Sequence, residues 1–131
     1  MEDYGDASDR HFQDAKTLHD QVPSRLANAS HLYGVSAECA LKCIMERKGR
    51  VPKGNTGHLP DLLVEFKNHS AAKGNARLIN QLKKHAEGLQ SWHISQRYFA
   101  QAAFQKEIVE SEAESARKIR VLNLHHARGI I

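Results

Sequence analysis

At 131 residues the chain is long enough to bury one core without disulfides or a structural metal to close it, and it holds no run of about 18 apolar residues that could span a bilayer. Ala, Leu, Lys, Glu, Gln and Arg dominate while aromatics make up 6%, a mixture that favours helices over strands. The formal charge of +4 is uneven. Glu2, Asp3, Asp6, Asp9, Asp14 and Asp20 crowd the start, whereas Arg117, Lys118, Arg120 and Arg128 hold the end without an acid, an end that either attracts polyanions or solvates a terminal helix.

The acidic start is the reverse of a secretory leader, so a cytoplasmic protein is expected. Asp6 to Asp9 offers N-cap side chains, and Phe12, Ala15, Leu18 and Val22 recur at helical intervals, which predicts a first helix from Ser8 to Asp20 before Pro23 interrupts it. Ser24 is the expected cap of a longer helix. Along it Leu26, Ala29, Tyr33, Ala37, Ala40, Leu41 and Ile44 form one stripe, widened by Leu32, Val35, Cys39 and Cys43, so this helix belongs in the centre of a bundle. Cys39 and Cys43 share a face but are poorly aimed to bridge, and they read as reduced core thiols. Arg47 and Lys48 suit the negative end of the helix dipole, and Gly49 suits a left-handed stop.

Pro52, Gly54, Asn55 and Gly57 mark a loop, after which Leu59, Leu62, Leu63 and Phe66 predict a short third helix with Pro60 in its first turn. A polar break from Asn68 to Asn75 leads to a fourth helix carrying Leu78, Ile79, Leu82, Ala86 and Leu89, weakened at its end by Gly88. Ser91 to Ser95 reads as a junction. Tyr98, Ala102, Val109, Ala113, Ala116 and Ile119 then sketch a long last helix with a bend near Ala103-Phe104. On it Glu107, Glu110, Glu112 and Glu114 precede Arg117, Lys118 and Arg120, an acid-first order that supports i,i+3 and i,i+4 pairs. The short connections imply antiparallel neighbours, and the expected architecture is a single all-α domain over residues 1–131, an up-down bundle of about five helices.

Two chemistries are set aside by spacing. Cys39/Cys43 and His125/His126 lack the paired clusters of a structural zinc, so no metal is expected. The glycines from Gly49 to Gly57 lack the Gly-Lys-Ser/Thr ending of a P-loop, and no cofactor is expected.

The segment Ala29-Ser30-His31-Leu32-Tyr33-Gly34-Val35-Ser36-Ala37-Glu38-Cys39-Ala40-Leu41-Lys42 resembles the second helix of HEPN domains, which combines an aromatic, small residues, a Glu and a following Leu-Lys. Gly57-His58-Leu59-Pro60-Asp61-Leu62-Leu63 is similar to the family's next landmark, a His opening a helix with closely spaced Leu. Trp92-His93-Ile94-Ser95-Gln96-Arg97-Tyr98 is similar to a third, an Arg-Tyr pair before the last helical region. The landmarks stand in family order over roughly Phe12 to Leu124.

The resemblance implies a HEPN-like fold and two kinds of function. Many HEPN proteins are metal-independent ribonucleases that use an Arg followed four to six residues later by His, completed across a symmetric dimer. Others lack that pair and act as nucleotide-, RNA- or partner-binding modules of prokaryotic stress, antiviral defence or toxin-antitoxin systems, beside a nucleotidyltransferase. Here Arg97 is followed by Tyr98-Phe99-Ala100-Gln101-Ala102-Ala103 with no His, which favours the binding module. The alternatives are an RNA-cleaving toxin with a displaced site and a structural helical partner. A homodimer is expected on either count.

The candidate ligand-binding residues are therefore Glu38, Lys42, His58, Arg97 and Tyr98. Glu38 is either a polar anchor facing Arg97 or His58, or an i,i+4 partner of Lys42, since an unpaired buried carboxylate is costly. Arg97 supplies a fork for phosphate and Tyr98 a stacking surface, or the pair is structural. His58 closes the loop onto the third helix or meets a ligand, and Trp92 fills the bundle's end or a dimer face. For cleavage, Arg120 and His125 alone near the end have the family-like spacing, but five residues on a helix turn them about 140° apart.

Overall fold

The computed structural model describes residues 1–49, 57–69 and 74–131. Pro52, Gly54, Asn55 and the middle of the second polar break lie outside them. The described chain is all-helical: α1 (Tyr4–Asp20), α2 (Leu26–Arg47), α3 (Asp61–Asn68), α4 (Ala76–His85) and α5 (Lys106–Ala127), with 3-10 turns at Ala86–Leu89, Ile94–Tyr98 and Gln101–Ala103. None of these helices is long and apolar enough to cross a membrane.

The first helix begins four residues before the expected start, because the Asp3 carboxylate caps it by accepting the Asp6 N–H at 2.9 Å. Ser8 thus lies inside the helix and is buried. Its hydroxyl donates to the Ser36 carbonyl at 2.9 Å and the Ser36 hydroxyl donates to the Ser8 carbonyl at 2.7 Å, a reciprocal pair that satisfies two buried hydroxyls between α1 and α2. Nor does Ser24 cap α2. Its hydroxyl donates to the His19 carbonyl at 2.6 Å, while the Ala27 N–H is satisfied by the Gln101 side chain at 3.0 Å. A distant amide does the work of a local cap.

At the other end of α2, Gly49 has φ 94°, the left-handed stop expected there. Arg47 also reaches α5, donating through Nη2 to the carbonyl and the side chain of Asn123 and through Nε to His126 Nδ1 at 3.0 Å. The cysteines are both thiols, but half-buried at the flank of α2 rather than in the core.

Direction follows from these contacts. Tyr4 meets Lys42 while His19 meets Tyr33, and Asp9 meets Arg120 while His19 and Asp20 border the same groove as Glu110 and Ala113, so α1 runs antiparallel to both long helices. Ser30 meets Glu112 and Arg47 meets Asn123, so α2 and α5 run parallel. The chain between them returns through α3, α4 and the turns, and alternation therefore stops at this pair.

Pro60 stands just before α3 rather than in its first turn, and α4 ends at His85. Beyond it the chain tightens into the 3-10 turn at Ala86–Leu89, where Gly88 lies against α5. A Cβ on Gly88 would come within 2.3 Å of the Ser111 carbonyl oxygen, and its N–H donates to Ser115 Oγ at 2.9 Å. The last helix is also shorter than the periodicity suggests. Residues 94–103 form two tight turns because His93 and Gln96 cap one locally, with the His93 ring accepting the Ser95 N–H and the Gln96 amide accepting the His93 N–H, both at 3.1 Å. Tyr98 is therefore outside α5 and 76% exposed.

One buried cluster joins the elements, with Ala29, Tyr33, Ala37, Ala40, Leu41 and Ile44 of α2 at its centre. Trp92 is its largest fully buried side chain. The ring lies so close to α2 that a Cβ on Gly34 would be 1.8 Å from Trp92 Cε2, and the indole N–H donates to the Ser30 carbonyl at 2.9 Å. Gly34 is a seat for the indole, and Trp92 fixes the junction to the central helix.

Candidate functional site

Glu38 lies on α2, almost wholly buried, and faces the segment that leads into α3. Its Oε1 accepts the Leu59 N–H at 2.8 Å and its Oε2 lies 3.2 Å from His58 Nδ1. Burial pushes its pKa up, opposed by those two hydrogen bonds and by the charges of His58 and Lys42. Both oxygens are thus occupied. The partner is His58, one of the two expected for an anchor, and not the i,i+4 partner. Lys42 acts on Glu38 only through its charge, and its ammonium is 5.8 Å from the Tyr4 ring centroid.

His58 and Leu59 border a small groove of about 250 Å³ that is closed on its other side by Asp61, His93 and Ile94. The landmark turn therefore adjoins the Glu38 clamp. Arg97 does not enter it. Its guanidinium donates to the Ile94 carbonyl at 2.9 Å and stacks 4.5 Å from the Tyr98 ring centroid, and among the described residues no carboxylate pairs with it. Of the two partners expected for a Glu38 anchor, Arg97 is therefore not the one that it meets. Glu38 turns inward to backbone and imidazole, whereas Arg97 and Tyr98 form an exposed pair of their own. The charge of Arg97 is felt by His31 on α2, whose pKa falls through burial first and then through Arg97 and His11.

The terminal candidates separate. The guanidinium of Arg120 donates to Asp9 Oδ1 at 2.7 Å and lies 4.2 Å from the Phe12 ring centroid, which commits it to α1. His125 is exposed on the other side, beside a groove it shares with Gln81, His85, Arg117 and Lys118. Because α5 continues to Ala127, the angular separation of the two residues holds, and they do not converge within one chain.

One buried carboxyl was placed wrongly by the charge pattern. Glu112 is not a surface partner of the following bases but 2% exposed, with its only hydrogen bond among the described residues coming from the Ser30 hydroxyl at 2.7 Å. Burial raises its pKa to about 7. The signal was in the spacing, since Val109, Glu112, Ala116 and Ile119 fall three and four apart on one buried face. Glu114, by contrast, makes the expected acid-first pair, 2.6 Å from Arg117.

No three His, Cys, Asp or Glu side chains converge on a metal-sized site among the described residues. The chain matches no protein-family model, no curated protein and no solved structure.

Proposed function

We propose that this chain is a non-catalytic HEPN-like module that binds a nucleotide or single-stranded RNA, with Arg97 taking phosphate and Tyr98 stacking on the base. The observation that carries this reading is the exposed Arg97-Tyr98 pair, whose guanidinium has one backbone acceptor and no carboxylate partner among the described residues. A planar cation backed by a ring has donors to spare for phosphate and holds them in a fixed plane. In this reading Glu38, His58 and Lys42 stand outside the Arg97-Tyr98 pair, with Glu38 holding His58 and Leu59 at the start of the third helix and Lys42 lying over the Tyr4 ring. The proposal extends to a homodimer acting in the cytoplasm beside a nucleotidyltransferase, in a prokaryotic stress, antiviral defence or toxin-antitoxin system.

Catalysis is not part of the proposal. RNA cleavage without a metal needs an imidazole near the scissile phosphate and a cation for its developing charge, and Arg120 and His125 point to different surroundings.

Fluorescence anisotropy of a labelled single-stranded RNA tests the reading. Arg97→Ala is expected to weaken binding roughly tenfold and Tyr98→Ala several-fold, with the RNA recovered intact. Unchanged affinity in both variants would remove the proposal. Cleavage abolished by Arg120→Ala or His125→Ala would replace it with the displaced-site ribonuclease. Light scattering checks the dimer, since a mass near 14.7 kDa at micromolar concentration would restrict the module to a monomer.

A further inference from the structure

A second recess is lined in part by the 94–105 segment. It has a volume of about 530 Å³, with Ser30, Glu87, Phe99, Phe104, Glu107 and Glu112 among its lining residues. That volume is in the range of small-molecule pockets. Every charged side chain lining it is acidic, and it contains no Lys, Arg or His. Phe99 and Phe104 provide an apolar wall, with ring centroids 6.4 Å apart and planes tilted by 45°.

Glu112 decides the chemistry. It is 2% exposed, yet its carboxyl borders the recess, and the Ser30 hydroxyl engages only Oε1. The second oxygen receives no hydrogen bond from the described protein. A largely buried carboxyl with half of its acceptor capacity unused, on the wall of a recess, is free to accept from a donor outside the chain, whether water or a ligand. We propose that this recess binds a small organic cation, a protonated amine or guanidine on an aromatic or apolar body, with Glu112 as its counter-ion and Phe99 and Phe104 against the body. Glu87 and Glu107 at the rim attract such a cation and repel phosphate, so the recess is chemically opposite to the Arg97-Tyr98 face. Aromatic faces also favour a nearby cation.

The cation competes with a proton. The titratable groups that line the recess with Glu112 are Glu107 on its own helix and Glu87 from the 86–89 turn. From α2 comes only the Ser30 hydroxyl, and from the 94–105 segment only amides and phenyl rings. Nothing in the recess supplies a positive charge to hold Glu112 ionised, so its ionisation is left to the ligand and to pH.

Isothermal titration calorimetry with benzylamine, benzyl alcohol and benzoate tests the site on the full chain. Benzylamine is expected to bind at least tenfold more tightly than benzyl alcohol, with no benzoate binding. Its affinity should rise roughly tenfold from pH 6 to pH 8 as Glu112 loses its proton. Glu112→Gln, which keeps an oxygen for Ser30, is expected to abolish the preference for the amine. The three ligands on the unaltered chain test the proposal even if the variant fails to fold. Absence of benzylamine binding, equal binding of amine and alcohol, or a preference that survives Glu112→Gln would overturn it. RNA binding through Arg97 is a separate readout.

Discussion

Two carboxyl groups are buried among the described residues, Glu38 and Glu112, and their surroundings differ in one respect. Glu38 receives a backbone N–H on one oxygen and an imidazole on the other. Glu112 receives a single hydroxyl and borders a recess. Both have their pKa raised by burial, but a carboxylate with both oxygens engaged ties two segments together, whereas one with an oxygen to spare remains available to a proton or a ligand. The lesson is that burial alone does not distinguish a structural acid from a functional one. The count of satisfied lone pairs does.

The largest expected effect comes from breaking the satisfied carboxyl. Glu38→Ala would leave the buried Leu59 N–H without its acceptor and release the His58 ring from its hydrogen bond to the carboxyl. An orphaned donor together with a cavity and a lost charge-assisted bond costs on the order of 3 kcal/mol. Urea denaturation should show the midpoint falling with little change in slope. A loss below about 1 kcal/mol would mean that the clamp adds little to stability.

Glu112 should make stability depend on pH. Its folded pKa of about 7 lies above the ordinary 4.5, so the folded state holds the proton more tightly than the unfolded state. The stability this contributes is present below the ordinary value and is lost as pH rises from about 4.5 to about 7. Gln cannot ionise. Relative to the unaltered chain, Glu112→Gln is therefore expected to gain on the order of 2 kcal/mol between pH 5 and pH 8, read as a difference in melting temperature that widens with pH. A difference independent of pH would show that Glu112 titrates as an exposed acid does.

The contrast between the two acids was only half legible in the sequence. Glu38 stood out because Ala37, Ala40 and Leu41 surround it on a continuous apolar stripe, and a stripe is a local pattern. Glu112 was hidden by its neighbours, because four Glu at close spacing resemble a solvated face, and only the one aligned with Val109 and Ala116 turns inward. The all-α class and the five helices followed from periodicity, and the left-handed stop at Gly49 from residue type. What was not legible depends on contacts far apart in the chain. Gln101 caps α2 across 74 positions, Trp92 needs Gly34 as its seat, and the parallel run of α2 and α5 depends on which side the returning chain takes. Arg97 was misplaced for a related reason, since the turn that carries it is closed by His93 and Gln96, and a helical extrapolation from α5 cannot represent it.

The smallest expected effect concerns the terminal pair. Arg120 is 19% exposed at its side chain, ion-paired with an Asp9 that is 64% exposed, and laid over the Phe12 ring. An ion pair with one solvated partner is worth little on its own, but the stem and guanidinium also cover apolar surface between α5 and α1. Arg120→Ala should therefore cost about 1 kcal/mol, more through packing than through charge. Thermal melts at low and high salt separate the two, because a packing loss persists when salt screens the pair. His125→Ala, at an exposed position, should change stability by less than about 0.5 kcal/mol. A double variant that loses clearly less than the sum of the two single losses would show that the two residues act as a unit after all, through a second copy of the chain if not within one, and would reopen the terminal site that their geometry in a single chain argues against.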